Sequence, residues 1–231
     1  MTMRFRRPLM LGLALAACLV AAGSAFAIPK ALINQFTGPR LIRAEVLVLG
    51  SDGSAQDYRI DRGVVVSAVG STLQIRELNG DIVPVALSTA AGTTTNGRAN
   101  GGGGGGQFRR GTRVVVYQLA GAAPQVTVGG SVNAQFFGPK LIRAEVLILG
   151  QAAAPEDYRI DRGVVVSAVS GTLTIREANG DIVPVPVDTS ARVQGGGRKA
   201  TPTNLRRNLR VVLYRQANAP AELVQVEGSG P

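Results

Sequence analysis

Four carboxylates recur in register: Asp57 with Asp61, and their counterparts Asp157 with Asp161. A pair of acids is the minimal equipment for cleaving a glycosidic bond, one protonating the leaving oxygen while the other acts on the opposite face. On a strand, residues four apart share a face but stand roughly 13 Å from each other. Glycosidase pairs stand at about 5–9.5 Å, so the chemistry needs a bend at Gly63 to gather them. Without one, these acids pair with Arg59, Arg62 or Arg76 across neighbouring strands. Ser67 and Ser167 also recur, in mid-strand and with no base to activate them.

The chain contains no His, and its one Cys is Cys18. The usual general base near neutral pH, the commonest zinc ligand and the thiol nucleophile are therefore missing from everything after the leader. Ser51-Asp52-Gly53-Ser54-Ala55-Gln56-Asp57 faintly suggests a calcium loop, but its counterpart beginning at Gln151 has lost most of the oxygens, and turn chemistry explains both segments. Gly101 to Gly106 is not a phosphate loop, since no Gly-Lys-Ser/Thr follows. No catalytic residue, metal or cofactor is expected.

The remaining candidates are cations. Arg98, Arg109, Arg110 and Arg113 gather around residues 90–107, and Arg192, Arg198, Lys199, Arg206, Arg207 and Arg210 gather around residues 191–204. Arginine forks suit carboxylate and phosphate groups, which implies an anionic envelope polymer or lipid headgroups as partner. The same charges also suit a solvated edge that discourages strand aggregation, leaving a protein partner or a plain structural role open. Nucleic acid is not expected: only Phe108, Tyr117 and Tyr214 lie near as stacking platforms, and the chain reads as exported.

These residues are positioned by a duplication. Residues 57–69 and 157–169 are identical, and residues 35–90 match residues 135–190 at 39 of 56 positions without a gap. The division expected is a leader at 1–27, one repeat at 28–127 and a second at 128–231. Formal charge is +10. Without Arg4, Arg6 and Arg7 it becomes 22 bases against 15 acids, a balance that favours anionic surfaces without choosing among them.

The leader has a basic start, an apolar run from Leu9 to Val20, and Ala25-Phe26-Ala27 with small residues where a signal peptidase reads. The chain is thus expected in the periplasm or cell envelope. Leu15-Ala16-Ala17-Cys18 resembles a lipobox, which would make Cys18 a lipidated first residue and the protein membrane-anchored. Arg6-Arg7 faintly resembles a twin-arginine signal.

Both repeats read as strands. Ile42, Ala44, Val46 and Val48 share one face. Leu73 and Ile75 alternate with Thr72, Gln74 and Arg76. Asn79-Gly80 predicts a type I′ hairpin turn, Pro84 predicts an edge position, and Gly63 predicts a bulge or sharp bend. No long helix is expected. Phe36 and the pair Phe136-Phe137 are expected to plug a barrel end or the joint between repeats, with anchoring of a partner as the alternative.

The fold class implied is all-β: two tandem small β-barrels, with three strands, a long connection and two more strands. That order resembles an OB-type barrel, with an SH3-like barrel or small sandwich as the alternative. A Gly-Val-Val strand, Leu-x-Ile-Arg-Glu, an Asn-Gly turn and a late basic Val-Val strand, over 62–117 and 162–214, resemble bacterial families of exported tandem β-repeats of unknown function. The resemblance implies a fold and carries over no functional residue.

Overall fold

The computed structural model describes residues 30–87, 93–95, 98–100, 108–195 and 201–229; the leader with Cys18, the glycine run at 101–106, and Arg198 with Lys199 lie outside them. The chain is predominantly β. The first repeat comprises helix α1 (Lys30–Thr37) and strands β1 (Leu41–Leu49), β2 (Ala55–Val69), β3 (Thr72–Glu77), β4 (Ile82–Ala86), β5 (Thr93–Thr95), β6 (Arg98–Asn100), β7 (Arg113–Leu119) and β8 (Gln125–Val128). The second has a 3-10 turn at Ala134–Phe137, then β9 (Leu141–Leu149), β10 (Pro155–Val169), β11 (Thr172–Arg176), β12 (Ile182–Gln194), β13 (Leu209–Gln216) and β14 (Ala221–Ser229). The stretch expected to be a loop from 191 begins as strand, because β12 runs on to Gln194 and pairs in parallel with β14. Its counterpart contains β5, parallel to β8, within the expected loop 90–107.

The repeats are joined by an antiparallel pairing of β1 with β9, in which Glu45 faces Glu145 and Ala44 faces Val146. The joint is reciprocal: Leu49 donates its amide to the Lys140 carbonyl, and Leu149 donates to that of Arg40, both at 2.8 Å.

Strand β2 organises the first repeat, as β10 does the second. Its first half pairs with β1 from Ala55 to Asp61, and its second half pairs with β3 from Gly63 to Val69, while β7 runs along its other edge. At Ile60 and Asp61 the buried face changes, so Ile60 enters one core and Val65 another. Strand β7 does the same with adjacent residues: Val115 points into the first core, Val114 and Val116 into the second. Burial on both faces is why Val114-Val115-Val116 and Val211-Val212-Leu213 are unbroken apolar runs rather than alternating ones.

Three cores result. One belongs to each repeat, around Val65, Leu73 and Ile75 and around Val165, Leu173 and Ile175; the third lies between repeats and takes residues from both. The phenylalanines close that third core crosswise. Phe36 of the first repeat lies 5.6 Å from Tyr158 of the second, and Phe136 of the second lies 4.9 Å from Tyr58 of the first.

Two local expectations are corrected. The register of β2 shifts between Val65 and Ser67, not at Gly63. Gly63 instead permits a close crossing, since a Cβ there would stand 2.6 Å from the Arg76 carbonyl oxygen. The Asn79-Gly80 turn is not type I′. Gly80 alone takes a positive φ, of 95°, and its amide donates to the Glu77 carbonyl at 3.1 Å. A three-residue loop ending in a left-handed glycine serves the hairpin equally well.

Candidate anion-binding clefts

The corner where β1 leaves the edge of β2 and β3 takes its place holds the chain's ionisable cluster. Arg43 of β1 reaches across it, its Nε donating to Asp61 at 3.1 Å and its Nη2 to Glu77 at 2.8 Å. Arg59 also donates to Asp61, at 3.0 Å. The side chains of Asp61 and Glu77 are only 3% and 0% exposed. Burial, opposed by Arg43 and reinforced by neighbouring Asp61, pushes the Glu77 carboxyl up to about 7. Burial likewise raises Glu177.

The second repeat rearranges this cluster. Arg143 turns to Glu177 and Asp181, at 2.8 and 2.9 Å, while Asp161 is held by Arg159 at 3.2 Å and Arg215 at 3.3 Å. Position 118, the counterpart of Arg215 opposite β2, is Gln. Asp61, Glu77, Asp161 and Glu177 are held by arginines with side chains at most 3% exposed, so they brace the corner, while Asp181 is exposed. Asp57 is exposed and Asp61 buried, on a stretch with unbroken register, so the bend that would gather them is absent. Ser67 donates to Gln74 at 3.0 Å. The Asp52 carboxylate accepts from the Ser54 amide and hydroxyl at 3.0 and 2.7 Å, closing a turn. Among the described residues no group of three acids or cysteines is placed to hold a metal ion.

Beside the buried cluster, the same corner opens into a cleft of about 450 Å³ lined by Arg62, Arg76, Arg113 and Glu77, whose side chain is turned inward at 0% exposure, with Val64 and Leu78 as its apolar wall. Beyond Val64 a smaller cleft of about 140 Å³ is lined by Arg76 and Arg110. The second repeat reproduces both: about 450 Å³ with Arg162, Arg176 and Arg210, and about 210 Å³ with Arg176 and Arg207. Each repeat thus carries a belt of four arginines on three strands and a turn. Among the described residues no carboxylate pairs with Arg62, Arg76, Arg110 or Arg113, nor with Arg176, Arg207 or Arg210. Burial, followed by the charge of Arg113, lowers the Arg62 pKa from its usual value.

Of the cations singled out in the sequence, Arg110, Arg113, Arg207 and Arg210 line these clefts, while Arg109 and Arg206 are exposed beside them. Arg98 lies on β6. Sequence reasoning gave Arg62, Arg76 and their counterparts only a structural part. The signal was there, since Arg62 recurs as Arg162 and Arg76 as Arg176. No helix among the described residues is long and apolar enough to cross a membrane.

Comparison with known proteins returns no match to any family model, curated protein or solved structure.

Proposed function

We propose that this is an exported, non-enzymatic protein of the bacterial envelope that binds an acidic polymer through an arginine belt of the kind that recurs in its two repeats. The observation that carries the reading is the repetition of four arginines at equivalent places in both repeats, seven of the eight with no carboxylate partner among the described residues. Unpaired cations near one another repel, and a polymer bearing carboxylate or phosphate groups removes that repulsion while satisfying the guanidinium forks. Val64 and Leu78 between them supply an apolar strip for the polymer's backbone.

Each repeat is read as an OB-type barrel, with the first from 28 to 127 and the second from 128 to 231. In support, β10 pairs with β11, β11 with β12, β12 with β14, β14 with β13, and β13 with β10 again. OB barrels carry ligands on one face and its flanking loops, which suits a polymer site. The leader at 1–27 supplies export, by cleavage after Ala27 or lipidation at Cys18.

A protein partner is the second reading, favoured by the exposed apolar Leu78 and Ile82 beside the first cleft. The experiment is sedimentation of the mature protein with isolated envelope polymers, comparing wild type with Arg110→Glu combined with Arg113→Glu. Loss of cosedimentation on reversal is expected. Equal cosedimentation of both proteins would discard the polymer reading in favour of the protein partner.

A further inference from the structure

The two clefts differ at one edge of one arginine. In the second repeat, Arg162 donates through Nε at 2.8 Å and Nη2 at 2.7 Å to the same oxygen of Glu227, and both side chains are nearly buried, at 11% and 8% exposure. Its Nη1 donates to the carbonyls of Gly138 and Pro139. In the first repeat, Arg62 keeps the equivalent anchor, its Nη1 donating to the Gly38 carbonyl. Its Nε and Nη2 edge has no partner among the described residues. Glu227 is the extra residue of a bulge, where the register of β13 and β14 shifts between Arg210 and Val211; in the first repeat Val128 is followed directly by Gly129, whose amide donates to the Arg113 carbonyl at 2.9 Å, so that extra carboxylate-bearing residue is not there.

Resting on the proposed polymer function, the geometry points to a division of labour: the first repeat binds a carboxylate of the ligand on the open edge of Arg62, and the second repeat holds its own carboxylate, Glu227, in that place. Glu227 is the template for the ligand group, an ionised carboxylate presented to one guanidinium edge. A buried or half-buried arginine left with another cation, here Arg113, favours an incoming anion more than a solvated one does. The lowered pKa of Arg62 is consistent with that lack. The ligand class is therefore a polymer with pendant carboxylates, such as an acidic polysaccharide, and only the first belt is complete for it.

The test is titration calorimetry of the mature protein with a short oligogalacturonate, and with an oligophosphate of matched charge for comparison. Wild type is expected to bind about one galacturonate chain. Arg62→Gln should weaken that binding at least about tenfold, Arg162→Gln should leave it unchanged, and Glu227→Gly should raise the stoichiometry to about two. Thermal melts accompany each variant. Should Arg62→Gln fail to fold, Arg113→Gln against Arg210→Gln carries the same comparison on exposed side chains. Equal weakening by the first-repeat and second-repeat variants would overturn the division of labour while leaving the polymer function standing. Binding of the oligophosphate alone would overturn the carboxylate assignment. No binding of either probe would overturn both.

Discussion

Phe36 and Phe137 stack with ring centroids 6.1 Å apart, each from a different repeat and each at most 1% exposed. The residues closing the central core are therefore donated crosswise, and that core also takes Val115 and Val212 from the two late strands. Neither repeat can open its inner face to water without exposing part of the other.

Phe36→Ala should cost about 3–5 kcal/mol, the usual range for deleting a buried aromatic ring. Because the core is shared, calorimetry should show one unfolding transition at a lower temperature, for the whole chain. Two separate transitions, with the second repeat melting as in wild type, would contradict a shared core.

Glu77 makes stability pH-dependent. Its folded pKa of about 7 stands above the ordinary value of 4.5. Between those values the unfolded chain has released a proton that the folded chain keeps, so stability falls as pH rises from about 4.5 to 7 and levels off above. Glu177 is raised as well and contributes with the same sign. Urea melts from pH 4 to 8 should show a shallower decline for Glu77→Gln than for wild type. Identical slopes would remove Glu77 as the source.

Gly63→Ala should destabilise by roughly 1–3 kcal/mol, as overpacking does when backbone must move. The contact is with the Arg76 carbonyl, at 2.6 Å from an added Cβ, and Gly163 meets Arg176 in the same way. A fall in the urea midpoint checks it for either glycine. An unchanged midpoint would mean the strands do not cross this closely.

Period-two reading recovered the strands because most of them bury one face. It worked for Ile42, Ala44, Val46 and Val48, and it places Glu77 on the buried face with Leu73 and Ile75 when carried to the strand's end. Alternation fails at Ile60-Asp61, where β2 passes from one core to another and consecutive residues are both buried. No local pattern announces that change, since it depends on β1 giving way to β3 along the same edge. The pairing of β1 with β9 was equally hidden, because the strand's composition does not say which edge it will meet. For the site, proximity in sequence grouped Arg109, Arg110 and Arg113, while folding selects Arg62, Arg76, Arg110 and Arg113 from separate segments.

The most direct measurement is the affinity of the mature protein for oligogalacturonate across a series of salt concentrations. Exposed ion contacts weaken as the Debye length shrinks from about 30 Å at 0.01 M to about 8 Å at 0.15 M ionic strength. Arginine belts that bind an acidic polymer should show a steep loss of affinity over that interval, and a flatter one in Arg76→Gln combined with Arg113→Gln. Affinity that is independent of salt, or identical in the double variant, would contradict the belts as the binding surface.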